Sequence, residues 1–102
     1  MPALLVARVQ VNDPDAYKDY MVRSGPAVAA YGGRFIVRGT TPEFLEGEGD
    51  GLRTVVVEFP DMETARRWHS SPEYTDARSF RTPPVAEAMF MLFETAETVG
   101  TK

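Results

Sequence analysis

Arg38 and Glu46 are the residues of this sequence whose types and spacing point most directly to chemistry. An arginine can hold a carboxylate or phosphate through two parallel hydrogen bonds, and a carboxylate nearby can act as a general base. We expect both side chains on one face of a single strand, so the pair predicts a site for an anionic substrate, with Glu46 handling protons. A structural ion pair that braces this strand is the alternative interpretation.

Glu58 is the second candidate for proton transfer. It follows three consecutive valines, Val55 to Val57, on a strand that we expect near the centre of a sheet. Its carboxylate is therefore predicted to lie in a poorly hydrated environment, where its pKa would rise, which suits an acid or base. The alternative is that Glu58 marks the end of the sheet, where it reaches water or caps a helix.

Aromatic side chains with polar tips commonly line pockets for small molecules that are partly apolar and partly polar. A place in the core is the alternative for each of them, because Trp68 shares a helical stripe with Met62 and Ala65. Together with Arg38, the predicted substrate-binding residues are Arg34, Tyr31, Tyr17, Trp68 and Tyr74.

His69 is the single histidine, and the chain has no cysteine. It follows Trp68 directly and so points away from the stripe that Trp68 occupies. A haem or metal site would depend on it, but one histidine without further His or Cys ligands is a weak metal signal. We therefore predict no metal and no cofactor, and keep a haem-handling protein based on His69 as a third interpretation.

The elements that must position these side chains follow the order strand, helix, strand, strand, helix, strand. This is the α+β, ferredoxin-like βαββαβ arrangement, with a four-stranded antiparallel sheet and helices on one face. The second strand is predicted to be a long edge strand with a bulge around residues 39–42, carrying both Arg38 and Glu46. Strands are predicted over 3–11, 34–46, 52–59 and 86–94, and helices over 13–31, 61–70 and from 71.

The composition fits one soluble domain over residues 1–95, followed by a loose tail over 96–102. A net charge of −4 argues against a nucleic-acid binder, which needs a concentrated basic face. The first residues become charged at Arg8 and are too mixed for a signal peptide or membrane span. We expect a cytoplasmic protein without membrane or nucleic-acid partners.

The strands around Leu4, Val55 and Met89 are apolar on both faces. Helices cover one face of a ferredoxin-like sheet, so a monomer would leave several large side chains in water. A second copy of the same sheet is the simplest cover. The sequence thus predicts a homodimer through the sheet face, with Arg38 and Glu46 on the dimer side.

Several motifs resemble one family of short bacterial proteins, DUF1330. They are VNDPDAYKDY, YGGRFIVRG, FLEGE and VVVEFPDMETARRWHSSPEY, and the resemblance covers about residues 3–94. It implies the dimeric α/β-barrel fold, in which two ferredoxin-like sheets pack face to face, and it implies no established activity. Relatives by fold include cofactor-free quinol monooxygenases, muconolactone isomerase-like enzymes and haem-degrading enzymes. Members often carry His where this chain has Tyr31, which weakens a proton-transfer role there.

The sequence therefore predicts a homodimeric α/β-barrel protein that binds a small anionic or phenolic metabolite. If it is an enzyme, the expected chemistry resembles that of cofactor-independent monooxygenases or isomerases, with Arg38 binding the substrate and Glu46 or Glu58 handling protons. The alternative is a non-catalytic dimeric module for metabolite binding or self-association.

Overall fold

The computed structural model describes residues 1–96 as a four-stranded antiparallel sheet with three helices against one face. The strand order β2-β3-β1-β4 confirms the predicted ferredoxin-like arrangement. Apart from its first residue, the predicted tail over 96–102 lies outside the described residues. The elements are β1 (Ala3–Val11), α1 (Pro14–Ala30), β2 (Arg34–Thr40), β3 (Arg53–Phe59), α2 (Met62–Ser70), α3 (Pro72–Arg78) and β4 (Ala86–Glu94).

Each helix begins where the sequence predicts, at a side chain that caps its first amides. Asp13 accepts a hydrogen bond from the Ala16 amide at 3.1 Å, and Asp61 accepts one from the Thr64 amide at 2.7 Å. Ser71 caps α3 in the same way. The sequence predicts a kink or restart at Gly25-Pro26, because proline removes an amide donor, but α1 continues through Pro26 as one helix.

The core lies between the sheet and the helices. Alternate residues of β1 are buried, from Ala3 through Leu5 and Ala7 to Val9, which is the pattern of a strand with one face on a core. Trp68 and Tyr74 are the largest fully buried side chains, and their ring centroids lie 4.2 Å apart. The aromatic residues of α2 and α3 therefore anchor the helix layer to the sheet.

The second strand is shorter than predicted. β2 ends at Thr40, and residues 41–52 form neither helix nor strand. Gly39 has φ +82°, a left-handed conformation at a β-bulge that glycine adopts without steric cost. Pro42 cannot donate a ladder hydrogen bond. The predicted resumption of the strand at residues 43–46 is wrong, and Glu46 lies exposed on a loop.

An earlier bulge changes which residues of β2 face the helices. Phe35 pairs with Val57, Val37 with Val56, and Arg38 with Val55. Val57 faces the core, so Phe35 and Arg38 lie on the helix side and Val37 lies on the opposite side. The predicted alternation, which placed Arg38 with Arg34 on the dimer side, is wrong because the bulge at Ile36 inserts one residue into the pairing.

The face of the sheet opposite the helices is called the open face here. It carries an ion pair of 2.8 Å between Arg34 Nε and Glu58 Oε1, and one of 2.7 Å between Arg8 Nη2 and Asp50 Oδ1. Among its apolar side chains, Met89 is 62% exposed, Phe93 51% and Met91 37%, and the others are partly buried. These apolar residues are Leu4, Val6, Val37, Val56, Met89, Met91 and Phe93.

Candidate functional site

A cleft of about 50 Å³ opens between α1 and the β2 edge of the sheet. Aromatic and aliphatic side chains form its walls, and two arginines border it. Its lining residues are Tyr17, Tyr20, Met21 and Ser24 from α1, Phe35, Arg38 and Gly39 from β2, and Arg53 and Val55 from β3. The cleft thus combines an apolar surface with positive charge, on the helix side of the sheet.

Local sequence features place the lining residues of the cleft. Tyr17, Tyr20 and Ser24 follow at helical spacing on the buried stripe of α1, as predicted. The bulge in β2 turns Arg38 toward that stripe, and its Cζ lies 4.1 Å from the centre of the Phe35 ring. Its Nη2 lies 3.1 Å from the position that a Cβ of Gly25 would occupy. A side chain at position 25 would therefore press on the Arg38 guanidinium.

The electrostatics of the cleft favour an anion. Among residues 1–96, neither Arg38 nor Arg53 forms an ion pair with a carboxylate. Burial, followed by the proximity of Tyr20, raises the pKa of Tyr17 to about 12. Burial and the neighbouring Tyr74 also raise the pKa of Tyr20. Both phenols are therefore neutral hydrogen-bond donors at neutral pH, beside two cations.

A smaller apolar cavity of about 20 Å³ lies behind the cleft. It shares Tyr17, Tyr20 and Phe35 with the cleft and continues between the helices and the sheet as far as Trp68 and Phe90. Polar groups are few in its lining, and apolar cavities of this kind stay dry. The cavity extends the cleft toward the aromatic core without adding charge.

Arg81 is a functional candidate that sequence reasoning missed. It is 9% exposed, and its Nε and Nη2 donate to the Tyr74 hydroxyl at 3.2 and 3.0 Å. That hydroxyl lies 2.9 Å from the hydroxyl of Tyr20, a lining residue of the cleft. The sequence suggests an extended connector over residues 81–84, but these residues form a turn. No local sequence pattern marks this role of Arg81, because Arg81 lies beyond the end of α3.

The other predicted site residues lie apart from the cleft. Glu46 is exposed on the loop and does not line the cleft. Within residues 1–96 it also forms no ion pair with Arg38, which was the alternative interpretation. Glu58 is central in the sheet, as predicted, but its carboxylate pairs with Arg34 on the open face. Tyr31 donates to Glu73 Oε1 at 3.3 Å beyond the end of α1.

A separate groove of about 220 Å³ lies between α2 and the outer edge of β4. Its lining residues are Leu5, Ala65, Arg66, Trp68, His69, Phe90, Met91 and Leu92. His69 Nε2 lies 3.4 Å from Arg78 Nη1. Burial lowers the pKa of His69, and the charges of Arg78 and Arg81 lower it further, so the imidazole is neutral at neutral pH.

Trp68 contributes an indole N–H that has no acceptor. Its Nε1 is buried and makes no hydrogen bond to any residue in the range 1–96. A buried donor without a partner costs about 1–3 kcal/mol, so such groups are rare in folded proteins. The predicted core role of Trp68 is confirmed by its 2% exposure, and the same ring also borders the groove.

In the part of the chain that the structure describes, no three His, Asp or Glu side chains converge in a way that could hold a metal ion. No helix among residues 1–96 is long and apolar enough to cross a membrane.

The family model of DUF1330, a domain of unknown function, matches residues 2–96. The chain belongs to the DUF1330 family. This membership confirms the resemblance seen in the sequence motifs. No curated protein matches this DUF1330 chain.

Solved structures share the fold of this DUF1330 protein. RPA0582 from Rhodopseudomonas palustris, of unknown function, is 18% identical over 94% of this chain and 83% of its own, with a TM-score of 0.76. SnoaB from Streptomyces nogalater, a cofactor-independent oxygenase, is 16% identical over 97% of both chains, with a TM-score of 0.65. A dimeric ferredoxin-like protein of unknown function from Thermobifida fusca is 16% identical over 93% and 92%, with a TM-score of 0.58. These similarities establish the fold.

Proposed function

We propose that this DUF1330 protein is a homodimer that binds a small organic anion, of carboxylate or phenolic type, in the cleft. Arg38 and Arg53 are the charge partners of the ligand. The observation that carries this proposal is the convergence of two arginines without carboxylate partners, within residues 1–96, on one aromatic cleft. Arginine matches the planar geometry of a carboxylate and can bind it through two hydrogen bonds.

The neutral phenol of Tyr17 supports the same ligand class. Its hydroxyl makes no hydrogen bond to another described residue, so it is free to donate to an oxygen of the ligand. The cleft volume of about 50 Å³ suits the charged head of a ligand rather than a whole drug-sized molecule. The ligand's remaining atoms then lie at the cleft mouth, beside the exposed Arg38 and the partly buried Arg53 side chains.

The homodimer is the assembly that best covers the open face. Large apolar side chains such as Met89, Met91 and Phe93 occupy this face beside Val6 and are too exposed for a stable monomer surface. One structural neighbour is described as a dimeric ferredoxin-like protein, which supports the same assembly. The cleft lies on the other side of the sheet and stays open in such a dimer.

Binding fits this geometry better than proton-transfer catalysis. A general base must lie within hydrogen-bond reach of the proton it takes, and no carboxylate or imidazole among residues 1–96 lines the cleft. The roles of Glu46 and Glu58 in proton transfer stay predictions. Oxygen-consumption assays on Glu46→Gln and Glu58→Gln with a phenolic substrate check them, and a loss of turnover relative to the unaltered protein would support an enzyme.

The binding site can be tested by calorimetric titration with 4-hydroxybenzoate, benzoate and phenol as probes. We expect Arg38→Gln and Arg53→Gln each to weaken binding of the carboxylates about tenfold or more, because each removes a charge-assisted hydrogen bond worth about 1.5–3 kcal/mol. Phenol, which carries no charge at neutral pH, should respond much less. Circular dichroism and sedimentation would check that each variant folds and assembles like the unaltered protein.

Arg23→Gln is the matched control for this titration. Arg23 lies on the same helix as Tyr17, but its guanidinium stacks at 3.9 Å over the Phe80 ring and does not border the cleft. Its removal should leave the affinity within about twofold. Equal losses in Arg23→Gln and Arg38→Gln, or no binding of any of the three probes, would contradict the proposed site.

A further inference from the structure

The groove beside β4 has the walls of a site for a planar apolar molecule. Phe90 and Leu92 of β4 form one side, and Leu5 contributes to its floor. The indole of Trp68 borders it from α2 and lies nearly parallel to the Phe90 ring, at an interplanar angle of 13°. Pockets for drug-sized ligands measure about 300–1,000 Å³, so a groove of about 220 Å³ fits a single-ring molecule.

The permanent charge that borders the groove is positive. Among residues 1–96, Arg66 is the one permanently charged side chain that borders it, and no carboxylate does. His69 adds a neutral imidazole at the same end, since burial and nearby arginines lower its pKa. An exposed guanidinium beside an apolar wall favours a ligand with an apolar body and an anionic group.

The buried indole N–H of Trp68 is a second, independent indication of a ligand. Within residues 1–96, this donor has no acceptor, although Trp68 is 2% exposed and borders the groove. Buried polar groups are normally satisfied, because leaving them unpaired is unfavourable. Because Nε1 is buried, a carboxylate oxygen in the groove can accept from it only once the indole turns toward the groove.

We propose that the groove is a second binding site, for a single-ring aromatic carboxylate. The ring packs against Phe90 and Leu92, and the carboxylate accepts hydrogen bonds from Arg66. The indole of Trp68 turns toward the groove on binding, so that its Nε1 donates to the same carboxylate. This site does not depend on the cleft beside Arg38. The two sites share no arginine, so each can be tested without the other.

The chain contains one tryptophan, so its indole N–H gives a single resonance in a ¹⁵N-correlated NMR spectrum. We would titrate the labelled protein with benzoate and, separately, with neutral benzamide, and follow this resonance and its exchange with solvent. Saturable movement of the indole resonance and slower exchange are expected with benzoate. Benzamide should bind at least about fivefold more weakly, because it lacks the charge that Arg66 recognises.

Two neighbouring arginines of α2 provide a matched pair of variants. Arg66→Gln should weaken the benzoate response of the indole at least about fivefold, and Arg67→Gln, which does not border the groove, should change it less than about twofold. Arg38→Gln separates the sites, because it weakens calorimetric binding at the cleft but leaves the indole titration unchanged. An unmoved indole resonance at saturating benzoate, or equal losses in Arg66→Gln and Arg67→Gln, would overturn the proposal.

Discussion

Arg81 is buried in the core and has no carboxylate partner within residues 1–96, which is unusual for a guanidinium. Its Nε and Nη2 both donate to one oxygen, the Tyr74 hydroxyl, which also pairs with the Tyr20 hydroxyl. Aromatic rings surround the charge, and its Cζ lies 4.5 Å from the centre of the Phe90 ring. A single phenol thus satisfies a buried cation and connects it to the wall of the cleft.

Removing that phenol oxygen should be costly. Tyr74→Phe leaves the Arg81 donors unsatisfied, and we expect it to lower the free energy of unfolding by about 3 kcal/mol. Tyr20→Phe removes the hydrogen bond to Tyr74 and a weaker interaction with Arg81, but leaves both Arg81 donors on Tyr74, and should cost about 1 kcal/mol. Urea denaturation monitored by tryptophan fluorescence measures both values. Equal costs would show that Arg81 does not depend on Tyr74.

His69 should titrate below its ordinary range. Burial is the main cause of its lowered pKa, and Arg78 and Arg81 add to it, so proton NMR should give a value below 6.5. The unfolded chain then takes up a proton more readily than the folded protein as the pH falls through about 6.5, and stability decreases below that pH. Above about pH 6.5, His69 is neutral in both the folded and the unfolded chain, so it does not change the stability.

A neutral variant isolates this effect. His69→Gln should flatten the loss of stability between about pH 7.5 and 5.5, because no other side chain has an ordinary pKa near that range. Denaturation midpoints of both proteins across this interval provide the measurement. An NMR pKa at or above 6.5 would be inconsistent with the buried, arginine-flanked position of the imidazole.

At the scale of elements, β2 decides where the candidate site lies. Its bulge at Ile36 turns Arg38 toward α1, and its end at Thr40 leaves Glu46 on a loop. The start of the strand is held by close packing, because a Cβ at Gly33 would lie 2.7 Å from Phe59 Cε1 and 2.8 Å from Val28 Cγ1. The turn between α1 and β2 therefore has no room for a side chain.

Gly33→Ala should consequently destabilise the protein. Overpacking of this kind typically costs about 1–3 kcal/mol, and we expect a value in that range from urea denaturation. Gly49→Ala is the control, because the nearest atom to its added Cβ would be Phe44 Cδ1 at an ordinary 3.4 Å. That change should stay within about 1 kcal/mol of the unaltered protein. If both variants behave alike, the packing at Gly33 is not what limits the turn.

On the scale of the whole molecule, the open face determines assembly. Val6, Val56 and Met91 form a row of paired residues across its centre, and Met89 and Phe93 flank this row on β4. Two such faces packed together would remove the exposed apolar surface from water, which is the main driving force for association. The ion pairs Arg8–Asp50 and Arg34–Glu58 lie on the same face and are accessible to a partner's polar groups.

A lysine at the centre of this face should separate the subunits. We expect the unaltered protein to sediment as a dimer at micromolar concentration and Met91→Lys to sediment as a monomer, because a charge would be buried without a partner. Val22→Lys is the control, since Val22 is 71% exposed on α1, away from the sheet. A monomeric unaltered protein, or dissociation by Val22→Lys as well, would contradict assembly through the open face.

The sequence by itself determined the elements and the order in which they occur. Asp13, Asp61 and Ser71 cap the helices where predicted, and β1 and β4 have the predicted bounds. These features depend on residues within one or two turns of each other, so local propensity and periodicity are enough to predict them. The two-faced apolar pattern that suggested a dimer is also readable from single strands.

Only the tertiary structure decided which residues meet. The side of the sheet that Arg38 faces depends on how β2 pairs with β3, and one inserted residue reverses it. The burial of Arg81 depends on the turn that follows α3 and on Tyr20, which is distant in the sequence. Local pattern carries no information about pairing register or about contacts between distant residues, because these are set by the packing of the whole core.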